Sequence, residues 1–258
     1  MALDFDGKRY TQASTHQREW GEKLIGSLDL GGHERILDLG CGDGVITLEL
    51  AKRVPHGEVV GIDASKGMLE VALQRRCSNL HFELLDINDL SFDEEFDLVF
   101  SNATLHFVKH HEQIVHNVYR ALRTGGVFRC NFGADGNCVS FIQATREAME
   151  AEEYVPFFRN FEWPYYMPKI DDYTLLLKES AFEHVDVWGE NADRHFPDED
   201  AITRWIDQPS IVPFLRVVDE ALKSSFRNMI VSRVLELTHQ KDGTYFETFR
   251  RVNVNAVR

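Results

Sequence analysis

The sequence predicts an α/β protein with a doubly wound, mostly parallel β-sheet. Two observations predict it. Short apolar runs alternate with helical patterns for about 120 residues, as strands joined by crossover helices do. The first run, "RILDL" (Arg35–Leu39), passes into a helical pattern through "GCGDG", a turn with three glycines in five positions.

Each element follows in order. Residues 14–28, "STHQREWGEKLIGSL", predict a helix opened by Ser or Thr caps. Trp20, Leu24, Ile25 and Leu28 recur at three-to-four spacing and give it one buried face. "RILDL" is nearly all apolar, as a strand covered on both faces must be. Then come helix "VITLELAKRV", strand "EVVGID", helix "KGMLEVALQRR" and strands "LHFELLD" and "FDLVFSN". "HEQIVHNVYRALR" predicts a helix, with His110 and His111 exposed at its start, and "GGVFRCNFG" a fifth strand. The pattern then changes. "VSFIQATREAMEAEE" and residues 171–181 read as helices, "FFRNFEWPYYMP" as an aromatic connector, and "HVDVWGE" as a strand. "DEDAITRWID" and a long stretch from Phe214 to about His239 read as helical. The chain closes on "DGTYFETFRRVNVNAV", in which Phe246, Phe249, Val252 and Val254 suggest one strand.

Composition narrows the function. A chain of 258 residues can bury a sizeable core. The formal charge of −14 argues against nonspecific binding to nucleic acid or an anionic membrane. No apolar run approaches the roughly 18–20 residues of a membrane span, and "MALDFDGKRY" has no secretory core. Cys41, Cys77, Cys130 and Cys138 show no metal-ligand spacing. A cytoplasmic protein without a metal is expected.

The glycine turn has two readings: a tight turn that lets the helix pack closely, or bare backbone against which a ligand lies. Ligands of open α/β sheets bind at the carboxyl ends of strands, where strand order reverses. Asp63 ends the second strand and either accepts hydrogen bonds from a ribose diol or caps the next helix; Ser65 could take the cap and leave Asp63 free. Asp86 ends the third strand, in "LLDIND". These residues in order describe a nucleoside site. The turn reads GxGxG, with Val45 where a dinucleotide fingerprint has its third glycine, and Asp38 precedes it. An acid there disfavours phosphate and favours a ligand carrying an ammonium or sulfonium.

"ILDLGCGDG", "VVGIDAS", "LLDINDL" and "FDLVFSNATLHFV", in this order, resemble successive motifs of the class I S-adenosylmethionine-dependent methyltransferases. The resemblance implies a seven-stranded Rossmann-like sheet with an N-terminal helical lid. It implies a single domain over 1–258, with a cofactor-binding core at 34–132 and helical cap insertions at 137–181 and 198–240. The implied cofactor is S-adenosylmethionine, with S-adenosylhomocysteine as product. By resemblance, Gly40, Cys41, Gly42 and Gly44 lie under its methionine part, beside Asp38 and Asn102. Asp63 and Ala64 meet the ribose, and Asp86 and Ile87 the adenine. Met68 packs on adenine or is ordinary core.

A looser similarity joins "YTQASTHQREWGEKLI", "SNATLHFV", "WIDQPSIVPFL" and the closing segment to the trans-aconitate methyltransferase group. It places Tyr10, Gln17 and Trp20 on the lid and implies a small-molecule acceptor, with methylation of a carboxylate oxygen foremost. Where that group often has tryptophan and glutamine, this chain has Phe107 and His106. His106 is the candidate general base, or it only shapes the pocket. Lys169, Arg194, Arg216, Arg250 and Arg251 are candidate carboxylate partners or solvated surface charges, with Arg216 and Arg251 foremost. A carrier-bound carboxylate, an amine or a lipid precursor are alternative acceptors, and a non-catalytic cofactor-binding protein is the alternative of another class.

Overall fold

The computed structural model describes residues 4–258. Along them the chain forms α1 (Gly7–Ala13), α2 (Thr15–Gly26), β1 (Arg35–Leu39), α3 (Val45–Arg53), β2 (Glu58–Asp63), α4 (Lys66–Ala72), β3 (Leu80–Leu84), β4 (Phe96–Asn102), α5 (His111–Ala121), β5 (Leu122–Gly133), α6 (Val139–Glu150), α7 (Val155–Phe158), α8 (Ile170–Lys178), β6 (Glu183–Asn191), β7 (Arg194–Phe196), α9 (Glu199–Trp205), α10 (Val212–Leu215), α11 (Lys223–Thr238), β8 (Tyr245–Glu247) and β9 (Arg250–Val257). The chain divides into two compact units. The first holds residues up to Asp135, Tyr165–Glu190 and Arg251–Arg258; the second holds Gly136–Pro164 and Asn191–Arg250.

The first unit carries a seven-stranded sheet of order β3-β2-β1-β4-β5-β9-β6. β1 pairs in parallel with both β2 and β4, while β9 runs antiparallel to β5. The chain leaves β1 toward β2 and β3, then returns to the other side of β1 for β4 and β5. The carboxyl ends of β1 and β4 therefore flank the crevice where an open α/β sheet binds its ligand. Alternate residues of β1 feed the two faces. Ile36 packs with Leu24 and Ile25 of α2, Leu50 of α3 and Phe100; Leu37 and Leu39 pack with Val99 and with Ile114, Val115 and Val118 of α5. Burial on both faces explains why the strands read as apolar runs rather than alternations.

Several sequence expectations need correcting. A short helix, α1, precedes the predicted N-terminal helix, and the Asp6 carboxylate caps it by accepting from the amides of Lys8 and Arg9 at 3.1 Å. The helix predicted over 14–28 ends at Gly26. The helix predicted to run through Leu122 and Arg123 stops at Ala121, where β5 begins.

His111 is buried, at 1% exposure, rather than solvated. Its Nδ1 lies 3.0 Å from the Tyr173 hydroxyl, and its Nε2 lies 3.1 and 3.0 Å from the carbonyls of Leu105 and Val108. Carbonyls only accept, so Nε2 carries the proton and Nδ1 accepts from Tyr173. The ring thus ties the turn after β4 to α8.

In the second unit, α11 packs along α6 and β7 pairs antiparallel with β8. Phe226 packs against the rings of both Tyr154 and Phe158, and the Tyr154 hydroxyl donates to Ser225. The helix predicted from Phe214 to about His239 is broken: α10 ends at Leu215 and α11 begins at Lys223. The predicted closing strand is two strands in two different sheets, with Phe249 between them. Glu247, fully buried, turns its carboxylate to the amides of Ser140 and Phe141 and so caps α6. Among the described residues no helix is long and apolar enough to cross a membrane.

Burial lowers the His111 pKa from its ordinary value to about 4. The folded value lies below the unfolded value of about 6.5, so the stability it contributes is complete above pH 6.5 and is lost as pH falls from there toward 4. We expect the stability difference between the wild type and His111→Gln to shrink by about 3 kcal/mol between pH 7 and pH 4. Urea melts across that range measure it, and a constant difference contradicts it.

Candidate functional site

The turn from β1 to α3 is the frame of the site. Gly40, Gly42 and Gly44 have φ of +70°, +56° and +74°, in the region that disfavours side chains. At Gly40 a Cβ would also overlap the Thr104 side chain, whose hydroxyl donates to the Gly40 carbonyl at 3.1 Å. At Gly42 no heavy atom lies within 4 Å of where a Cβ would stand, so bare backbone faces open space. The amides of Gly40 and Cys41 both donate to the Ile62 carbonyl at 2.9 Å, tying the turn to β2.

Asp63 is not free of structural duty, as its predicted release by Ser65 would require. Ser65 does cap α4, accepting from the Met68 amide. Yet Asp63 accepts from the Gly42 amide at 2.9 Å through one oxygen and from the Ser65 amide at 2.8 Å through the other. The Ala64 amide also lowers its pKa, and a carboxylate has about four acceptor positions, so these amides do not exhaust it. Ala64, half-buried, lies between the two residues of this arrangement. Burial raises the Asp63 pKa against the pull of those amides.

A cleft of about 420 Å³, part of it open to solvent, opens over the turn. Its walls bring together the predicted Tyr10, Gln17, Asp38, Gly40, Cys41, Gly42 and Asn102. Asp38 is 2% exposed and accepts from the Thr47 hydroxyl at 2.7 Å. Burial, with a contribution from Asp63, raises its pKa to about 7. Burial and the surrounding acids push the Cys41 thiol up, so it stays protonated and unreactive. Burial and the charges of Asp43 and Asp63 likewise raise the Tyr10 phenol. Asn102, at the end of β4, donates Nδ2 to the Gln17 carbonyl at 2.9 Å.

The other predicted residues lie elsewhere. Met68 is buried at 4% exposure just inside α4. Asp86 accepts from the Asn88 amide and side chain, capping a short turn, and Ile87 beside it belongs to the core. His106 stands in the turn after β4 against the rings of Phe107 and Tyr165, with Nδ1 buried and without a hydrogen-bond partner. Burial, then Arg251 and His111, lower its pKa to about 3. Arg251, on β9, is 3% exposed; its guanidinium lies 4.0 Å over the Trp20 ring and donates to Asn131. Arg216, Arg194 and Arg250 belong to the second unit, where Arg216 is exposed and Arg250 pairs with Asp193. Lys169 stands at the N-cap position of α8, and its side chain makes no capping hydrogen bond there.

Sequence reasoning passes over Asp43. Its carboxylate, in the glycine turn itself, accepts from the Thr11 hydroxyl at 2.8 Å and from Arg18 at 3.1 Å, with Arg75 at 3.5 Å. It binds α1 and α2 to the turn. The signal for it was an acid between two glycines just ahead of a helix, where the helix dipole favours a negative charge.

A family model described as a methyltransferase domain matches residues 30–167. The chain is 29% identical over 255 residues to an uncharacterised methyltransferase of Schizosaccharomyces pombe, covering 96% of this chain and 95% of that protein. It is 30% identical over 199 residues to a trans-aconitate 2-methyltransferase of Deinococcus radiodurans, covering 75% and 76%. Its fold is similar to that of the YcgJ protein from Bacillus subtilis, with a TM-score of 0.65 at 15% identity over 93% of this chain and 98% of the other. β3 ends at Leu84, so of the two acids expected at strand ends only Asp63 closes its strand, and Asp86 stands two residues beyond β3. With the glycine turn, Asp63 at the end of β2 and the seven-stranded sheet in place, the chain belongs to the methyltransferase family and is a class I S-adenosylmethionine-dependent methyltransferase.

Proposed function

We propose that this enzyme methylates a carboxylate oxygen of a small acid, in the manner of the trans-aconitate group. The cleft fits S-adenosylmethionine: it has open backbone at Gly42, spare acceptor positions on Asp63, and buried polar atoms on Gln17 and Asn102 without partners. In this reading Gly40, Cys41, Gly42 and Gly44 floor the methionine end beside Asp38 and Asn102. Asp63 and Ala64 hold the ribose; Met68, Asp86 and Ile87 surround the adenine; Tyr10, Gln17 and Trp20 cover the site. Bound there, the sulfonium supplies an electrophilic methyl group.

The observation that carries the choice of acceptor is Arg251. A guanidinium at 3% exposure, stacked on Trp20 and fixed by Asn131, acts on the ionisation of both Tyr10 and His106. A planar, oriented cation of that kind suits a carboxylate. A carboxylate is already an anion at neutral pH, so its methylation needs positioning and exclusion of water rather than a base. His106 agrees: an imidazole whose pKa is lowered to about 3 has little capacity to take a proton from an acceptor near pH 7. We assign it to positioning.

Incubation of the enzyme with labelled S-adenosylmethionine and a panel of di- and tricarboxylic acids, amines, phenols and an acylated carrier protein tests the acceptor class. Label transferred only to amines or phenols would sink the carboxylate reading. Arg251→Met should lower kcat/KM for the acid by about 100-fold, as expected for loss of a charged hydrogen bond worth about 1.5–3 kcal/mol. Its affinity for S-adenosylhomocysteine should change by less than about threefold, and Arg251→Lys should recover little.

The pH dependence of kcat for the acid should be flat between pH 6 and 8.5; a break near 6.5 that His106→Gln removes would restore the base. Asp38 gives a further readout. A cationic ligand beside a carboxyl with a pKa of about 7 lowers that pKa, so cofactor binding at pH 7 should release part of a proton. Calorimetry in buffers of different ionisation enthalpy should detect the release, and Asp38→Asn should abolish it.

A further inference from the structure

A row of three asparagines crosses the sheet. Asn102 of β4 is paired with Asn131 of β5, and Asn131 with Asn253 of β9. Side chains of paired residues stand on one face of a sheet. Asn102 donates to the Gln17 carbonyl, so this face is the one turned to α2. Asparagine is depleted in strands, and Asn131 and Asn253 are buried at 3% and 2% exposure. Strand formation does not call for them, so each needs a polar task.

Two of the three amide nitrogens have a partner within the protein. That of Asn102 donates to Gln17, and that of Asn253 donates at 3.2 Å to Glu190, which Lys23 also holds. Asn131 differs. The Arg251 guanidinium donates to its side chain, and a guanidinium has no acceptor, so the atom it meets is Oδ1. The amide nitrogen therefore points elsewhere, and among the described residues it donates no hydrogen bond. Nor is it sealed in, since Nδ2 keeps some exposure although the residue as a whole is buried.

The main chain of Asn131 is fixed as well. Its carbonyl accepts from the Ala103 amide at 2.8 Å, at the bend where the chain leaves β4. Ala103 takes φ of +57° there, a conformation that a side chain disfavours. Asn102 belongs to the wall of the cleft, and neighbouring strands lie about 4.8 Å apart. Asn131 thus stands one strand beyond that wall, holding Arg251.

We infer that Asn131 binds the methyl acceptor together with Arg251. Its Oδ1 sets the plane of the guanidinium, and its Nδ2 donates to the carboxylate that the guanidinium attracts. The carboxylate meets a charged donor from β9 and a neutral one from β5. This rests on the carboxylate reading above and adds to it a second residue with a stated polarity for each atom.

A double-mutant cycle separates direct contact from action through Arg251. The readout is kcat/KM with labelled S-adenosylmethionine and trans-aconitate, or the acid of the panel above that is methylated fastest. Asn131→Leu should lower it about 100-fold, from loss of the donor and of the hold on Arg251. In the Arg251→Met background Asn131→Leu should still cost about tenfold, because Nδ2 meets the carboxylate itself. Asn131→Asp in that background should cost more than Asn131→Leu, since it sets one anion against another. Calorimetry with S-adenosylhomocysteine should give every variant an affinity within about threefold of the wild type.

Asn131 variants that cost nothing once Arg251 is replaced would confine Asn131 to orienting Arg251 and overturn the inference. Loss of S-adenosylhomocysteine binding in both Asn131 variants would reduce the residue to a structural role and do the same. Transfer of label to none of the acids by the wild type would instead overturn the carboxylate reading itself.

Discussion

The backbone turn between β1 and α3 is the constraint on which the rest of the site depends. Its glycines sit at positive φ, a conformation glycine adopts without steric cost but does not prefer over others. Hydrogen bonds to β2 hold it: the Ile62 carbonyl receives the amides of Gly40 and Cys41, and Asp63 receives that of Gly42. Because β1 and β2 are in parallel register from Arg35–Glu58 to Leu39–Ile62, the end of β2 arrives beside the turn. The carboxylate that ends β2 thereby supports the turn whose Gly42 lines the cleft.

Charge in this region follows from burial. Asp38, Asp43 and Asp63 crowd one turn of a chain that is already acidic overall. Asp43 is compensated from outside by Thr11, Arg18 and Arg75, so its charge fastens the N-terminal helices. Asp38 and Asp63 receive neutral donors, and both have raised pKa values. Across the unit, the buried cation Arg251 helps keep His106 neutral. Acidic and basic environments are separated within one fold.

Much of this was legible in the sequence, and the limits have physical causes. Strands buried on both faces announce themselves as apolar runs, so β1, β2 and β4 were legible at their observed bounds. The glycines were legible because nothing else tolerates the turn. Long-range partners were not. Nothing local in "THQREW" says that Arg18 reaches Asp43, because that pairing depends on where α2 lands. His111 looked exposed because polar neighbours surround it in sequence; its burial comes from Tyr173, sixty-two residues away. The closing segment misled for a related reason. Its apolar positions, Phe246, Phe249, Val252 and Val254, alternate imperfectly and give no sign at Phe249 that the chain passes there from one sheet to another. Periodicity reports burial and does not report which neighbour does the burying.

The helix α2 carries a last consequence. Gln17 and Arg18 line the cleft, while Trp20, within one turn of them, has the guanidinium of Arg251 4.0 Å from its ring centre. A rigid helix cannot shift at one of these positions without shifting at the other. A displacement at the cleft is therefore carried to the Arg251–Trp20 stack, and one at the stack is carried back to the cleft.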